Sequence, residues 1–255
     1  MARLARLALA GQAHLVLQLG HSGQAVFADD SDRRCYLDTL HHAAASAQVA
    51  VHAYALLDNE VRLLLTPLQA SSLAQLMQAL GRRYVSAYNR RHGRSGTLWD
   101  GRYRCAVVQD GATRLSALLW VDAAEAEPVQ RTDSESSESS ESSETSETSE
   151  TFVGPDAPTQ GSRHTSAVHR SGGTKSAWLV DPPEYWALGN TPFEREVQYS
   201  ALLSSGVIPA QAQALRRAAW GGWALGSPQF VVAVAEQASR PALPRPRGRP
   251  RRAPA

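Results

Sequence analysis

The apolar positions along the first 127 residues switch between two periods. Ala13-His-Leu-Val-Leu-Gln-Leu19 is an apolar run rich in strand formers and predicts a first strand. Asp29-Asp30-Ser31 then supplies capping oxygens ahead of a helix whose apolar stripe is Cys35, Tyr36, Leu37, Leu40, Ala43 and Ala44. Val49 to Leu57 and Val61 to Thr66 predict two strands, and the turn-forming pair Asp58-Asn59 between them makes a hairpin. A second helix is expected from Ser71 to about Arg91, with Leu73, Leu76, Met77, Leu80, Tyr84 and Tyr88 on one side. Gly93 to Gly96 ends it, Thr97 to Val108 predicts a fourth strand, and Thr113 to about Ala126 a third helix. The order β-α-β-β-α-β plus a helix predicts an α+β, ferredoxin-like sheet with helices on one face. Many functions share that fold, so it decides none of them.

The pattern then stops. From Thr132 to Thr151 the chain repeats Ser-Glu-Ser and Glu-Thr-Ser, and the stretch to Gly173 stays rich in Ser, Gly, Thr and Pro. Such a composition buries too little apolar surface to offset ordering entropy, which predicts a disordered linker over 128–173. Helical patterning returns around Pro192 to Leu203, Pro209 to Trp220 and Pro228 to Gln237, giving a small all-α region over 174–239. A flexible Arg/Pro-rich tail is expected over 240–255.

The formal net charge of +2 averages unlike segments. Residues 133–150 hold seven carboxylates and no Lys or Arg, so removing those seven from +2 leaves +9 on the rest. Arginine dominates that basic remainder, and its planar donor fork suits phosphate. No apolar run reaches membrane-spanning length and the start is too short in apolar residues for a signal peptide, so a cytoplasmic protein is expected. Cys35 and Cys105 lack the spacing of a zinc or disulfide framework and read as buried thiols. His14, His41, His42 and His52 are isolated or point apart, and read as packed or surface imidazoles rather than metal ligands.

The strand pair Val51-His-Ala-Tyr-Ala-Leu-Leu-Asp-Asn-Glu-Val-Arg-Leu-Leu-Leu-Thr-Pro67 resembles the signature of the REP-associated tyrosine transposases, bacterial single-tyrosine enzymes of the HUH class. Met77-Gln-Ala-Leu-Gly-Arg-Arg-Tyr84, Tyr88-Asn89 and Gly96-Thr-Leu-Trp-Asp-Gly-Arg-Tyr-Arg104 are similar to the same family, in the same order. Tyr185-Trp-Ala-Leu-Gly189, Gly221-Gly-Trp-Ala-Leu-Gly-Ser227 and Gly248-Arg-Pro-Arg-Arg252 resemble its C-terminal extension. The resemblance implies a DNA transposase in which two strand histidines hold Mg²⁺ or Mn²⁺. A tyrosine on the following helix attacks a DNA phosphate, and a polar side chain one turn later completes the metal site.

At all four of these positions the chain departs from the pattern. The histidine positions fall on Glu60 and Arg62, the tyrosine on Trp120, and the helper on Ala124. Arginine has no lone pair for a metal, a lone glutamate beside it is a poor site, and tryptophan offers only an N–H donor. The resemblance therefore implies a degenerate member, with no metal or cofactor held and no cutting. Glu60 and Arg62 share a strand face, which predicts a partly exposed ion pair; the sharper alternative has Arg62 receiving a DNA phosphate.

The candidate DNA-binding residues are Arg82, Arg83, Arg90, Arg91, Arg94, Arg102 and Arg104, interleaved with Tyr84, Tyr88, Trp99 and Tyr103 as stacking platforms. Arg247 and Arg249 join them through Arg-Gly-Arg-Pro, which resembles an AT-hook core. The acidic tract reads as a solvating linker, or as a competitor for the basic face. The leading expectation is a protein that binds single-stranded or hairpin repeat DNA without cutting it. Its alternatives are an active nicking and strand-transfer enzyme with a rebuilt site, and a non-catalytic module that dimerises through the sheet or is a decayed copy.

Overall fold

The computed structural model describes residues 6–124 and 164–244. The first part runs β1 (Ala13–Leu19), α1 (Asp30–Ala47), β2 (Val49–Leu56), β3 (Glu60–Pro67), α2 (Ser72–Arg91), β4 (Arg104–Val108) and α3 (Ala112–Asp122). The second adds α4 (Pro183–Trp186), α5 (Pro192–Ser205), α6 (Pro209–Gly221), β5 (Ala224–Leu225) and α7 (Pro228–Gln237). The strands lie in the order β2-β3-β1-β4-β5. The first four are antiparallel in the ferredoxin-like order, and β5 joins β4 in parallel, an addition to the region expected to be all helix.

Helices cover both faces of the sheet. Val16, Val61, Leu63 and Leu65 point to one face, where α1 and α2 bring Tyr36, Leu40, Leu76 and Tyr84. Leu15, Leu17, Leu64 and Ala106 point to the other, where α3 packs with Tyr185, Tyr199, Leu215 and Ala219 from α4, α5 and α6. A strand buried on both sides reads as a continuous apolar run, which is why β1 lacks polar alternation. The prediction of helices on one face therefore holds for α1 and α2 but leaves out the second layer.

The edge strand β2 is covered by residues 164–180. Leu56 N–H donates to the His164 carbonyl, Val180 N–H to the Val51 carbonyl, and bridges form at Ala55–Thr165 and Val51–Leu179. A bulge at His52, between Val51 and Ala53, turns the strand toward this segment. Covering the edge removes a row of unpaired backbone groups. The expected linker thus ends earlier than residue 173: residues 164–170 are packed, and Arg170 is fully buried. The Ser/Glu tract lies outside the described residues.

Two further boundaries move. The fourth strand, expected from Thr97, begins at Arg104, because Gly96 and Gly101 hold φ angles of 89° and 66° that bend residues 97–103 into a loop. The tail expected from residue 240 begins packed, with Ala242 buried and its carbonyl accepting from Ala224 N–H. Residues 245–255 lie outside the described part. Among the described residues no helix is long and apolar enough to cross a membrane.

Candidate functional site

Glu60 and Arg62 occupy alternate positions at the start of β3 and share a face. Arg62 Nε donates to Glu60 Oε1 at 3.1 Å, and Arg216 of α6 donates to Glu60 Oε2 at 3.2 Å. The Arg62 guanidinium lies 4.0 Å from the centroid of the Trp120 ring on α3. Ala124, just past α3, is buried in the same core. All four positions marked by the resemblance therefore gather on the side of the sheet covered by α6.

The cluster is closed rather than half-exposed. Glu60 is 6%, Arg62 4% and Trp120 2% exposed, so the expected surface ion pair is a buried one. Arg62 stands opposite Leu17, which stands opposite Arg104 on β4. The Arg104 guanidinium lies 4.7 Å from the centroid of Trp220, one turn beyond Arg216 on α6. Arg216 on Glu60 and Trp220 on Arg104 hold α6 over the site. Arg62 is turned inward to a carboxylate and a ring.

A divalent cation does not fit this donor set. Both oxygens of Glu60 are engaged by guanidinium groups, and Arg62 brings a fixed positive charge without a lone pair. Among the described residues no three His, Cys, Asp or Glu side chains gather as a metal-binding group. His14 and His52 are packed. The His14 Nδ1 bonds the Gln12 carbonyl while Nε2 accepts from Leu9 N–H, and burial lowers its pKa to about 4. His52 bonds the Val180 carbonyl and Thr66 Oγ1, and burial lowers its pKa too.

The candidate DNA-binding arginines divide into two groups. Arg82, Arg83 and Arg90 on α2 and Arg102 in the loop before β4 are exposed and have no acidic partner among the described residues. Arg94 is exposed and bonds only Gln24 Oε1, at 3.3 Å. Arg91 is instead held at 2.5 Å by both Asp29 and Asp32, and Arg104 lies on Trp220. The aromatic residues are not stacking platforms: Tyr84 and Tyr88 lie where the apolar stripe of α2 puts them, and with Trp99 they are buried in the core between α1, α2 and the sheet, where Tyr84 donates to the Val26 carbonyl. Tyr103 is half-buried beneath the Arg6 guanidinium, at 3.9 Å. Arg247 and Arg249 lie outside the described residues.

Sequence reasoning missed Arg170. Its side chain reaches Asp122 Oδ2 at 3.3 Å and Asp181 Oδ1 at 2.8 Å, and it donates to the His52 carbonyl at the β2 bulge. Tyr199 donates to Asp122 Oδ2 at 2.5 Å, and Ser166 Oγ bonds Oδ1. Burial works against the Arg170 charge, but Asp122, Tyr199 and Asp181 overcome it and hold the pKa above arginine's ordinary value. This network joins α3, α5, the bulge and the 164–181 segment. Its only sequence cue is Ala167-Val168-His169 within an otherwise Ser/Gly-rich stretch.

No family model and no curated protein matches the chain. Among solved structures it is similar to a REP-associated tyrosine transposase bound to a REP hairpin, at 8% identity and a TM-score of 0.39, over 49% of this chain and 73% of that one. It is also similar to a proposed transposase from Deinococcus radiodurans R1, at 21% identity and a TM-score of 0.33, over 43% of this chain and 88% of that one.

Proposed function

We propose that this protein is a transposase-type DNA-binding protein that holds single-stranded or hairpin DNA without cutting it. The observation that carries the reading is the Arg62–Trp120 contact. The positions that the sequence resemblance marks as metal ligands and nucleophile do meet in space, and they meet as an ion pair stacked on an indole. Neither Arg62 nor Trp120 can supply a metal lone pair or a phosphoryl nucleophile. Losing the nucleophile of a concerted site costs on the order of 10⁶ in rate, so the family's route is closed.

Binding is supported separately. The exposed arginines of α2 and the loop before β4 leave net positive charge on the α2 side of the molecule, and phosphate neutralisation supplies most of the affinity in nonspecific binding. With Tyr84, Tyr88 and Trp99 in the core, base stacking is not what these arginines are paired with.

The deciding experiment incubates the full chain with a labelled hairpin oligonucleotide and Mg²⁺ or Mn²⁺, then separates complexes with and without denaturant. The expected result is a salt-sensitive complex that denaturant dissolves. A denaturant-resistant adduct overturns the non-cutting half of the reading. Absence of a complex at low salt overturns the binding half and favours the protein–protein module.

A further inference from the structure

A groove of about 480 Å³ opens between the first half of α1 and residues 164–176, on the α1 side of the sheet and away from the Glu60–Arg62–Trp120 cluster. Arg34 lines it, is exposed, and makes only a hydrogen bond to Ser31 Oγ at 3.2 Å, so no carboxylate among the described residues neutralises its charge. Asp30, the acidic group on the lining, is already engaged by Arg33 at 3.7 Å and His164 at 3.6 Å. Leu37 and Val168 supply apolar wall.

Tyr54 gives the groove a fixed polar floor. It is only 9% exposed, its ring lies parallel to Trp178 at 5.9 Å with planes 7° apart, and Trp178 is stacked in turn on His41. Its backbone N–H is satisfied by Ser166 Oγ at 2.9 Å, whereas its hydroxyl has no hydrogen-bond partner among the described residues. The hydroxyl meets the solvent of the groove, where a ligand's donor or acceptor can take the place of water.

An unneutralised guanidinium, apolar wall and one unmatched hydroxyl fit a ligand with a phosphate on one end and a flat, hydrogen-bonding apolar body on the other. We infer that the groove binds a nucleoside monophosphate unit, with the phosphate at Arg34, the base against Leu37 and Val168, and the Tyr54 hydroxyl at the base edge. Under the DNA-binding reading, on which this part rests, the unit is one nucleotide of the bound strand. A free nucleotide is the other source of the same chemistry.

Calorimetric titration of the full chain with each of the four deoxynucleoside 5′-monophosphates, and with inorganic phosphate, tests the groove directly. At least one mononucleotide is expected to bind saturably, about tenfold or more tighter than phosphate, with Arg34→Glu losing about tenfold or more. Tyr54→Phe is expected to weaken that nucleotide several-fold without weakening phosphate. Equal affinity for phosphate, no saturation, or no change in either variant overturns the proposal. A labelled single-stranded oligonucleotide separates the sources. Weaker strand binding in Arg34→Glu places a strand nucleotide in the groove. Mononucleotide binding without strand binding makes the ligand a free nucleotide and sinks the DNA reading alone. Undiminished strand binding with no mononucleotide binding sinks the groove alone.

Discussion

The guanidinium of Arg62 lies over the buried indole of Trp120, 4.0 Å from the ring centroid, while its Nε donates to Glu60. Arg62→Ala leaves the Glu60 carboxylate buried with Arg216 alone and empties the space over the ring. A loss of about 3–5 kcal/mol in unfolding free energy is expected by urea titration. DNA affinity of the folded fraction, and its dependence on salt, are expected to be unchanged. A shallower salt dependence would show that Arg62 reaches phosphate after all.

Trp120→Tyr places a phenol at the position that the resemblance marks as the nucleophile. Arg62 and Arg216 still hold both oxygens of Glu60, so no metal can polarise a phosphate there. The variant is expected to yield no covalent adduct with a hairpin oligonucleotide in Mn²⁺. Adduct formation would mean that the loss of activity lies in one residue and not in the whole cluster.

Salt dependence separates the two groups of arginines. Arg83→Ala and Arg90→Ala each remove an exposed charge with no acidic partner among the described residues. Each is expected to reduce the slope of log affinity against log salt by about 0.7 for single strands. Arg91→Ala removes a charge already held by Asp29 and Asp32, and the slope is expected to stay as it was.

The sheet order and the α1 and α2 faces were legible because their signals are local: apolar period, the Asp29 cap, the Asp58-Asn59 turn. Asp29 indeed accepts from Ser31 and Asp32 N–H at 2.9 and 3.1 Å. The convergence of Glu60, Arg62 and Trp120 was legible only through the resemblance, since residues 58 positions apart carry no common period. Tyr84 was legible in part: it belongs to the apolar stripe of α2, which pointed to the core, and there it meets Tyr36 edge to face. Arg170 was hidden. Arg170 sits in a Ser/Gly-rich stretch with bonds to partners as far as 118 residues away, and composition cannot report that.

Those long-range bonds make Arg170 a measurable clamp. Arg170→Met keeps much of the volume but strands Asp122 in the core, and a cost of about 3–5 kcal/mol is expected in urea titration. Amide exchange of Leu56 and Val180, whose N–H groups bond across the β2 edge, should rise more than that of β1. Equal loosening of both would mean that the network stabilises the sheet as a whole.

His14 ties stability to pH. Its neutral ring donates from Nδ1 and accepts at Nε2, and protonation turns that acceptor into a donor facing Leu9 N–H. The folded pKa of about 4 lies below the unfolded value near 6.5, so the unfolded chain binds the proton first. The stabilisation is present above pH 6.5 and is lost as pH falls toward 4, by roughly 3 kcal/mol at full extent. His14→Gln is expected to be less stable at neutral pH and to show a flatter decline over that window. An unchanged decline would assign it to the carboxylates instead.

The second helical layer also sets a schedule. Because α6 packs on β1 and β4 beside α3, a nascent chain that has emerged only through α3 carries an apolar sheet face that is only partly covered. Some 75 residues separate Ala124 from Tyr199, and at about 5–20 residues per second the wait is on the order of 4–15 s. Ribosome-bound chains stalled within that interval should be the ones that recruit chaperones, and release past Ala219 should free them.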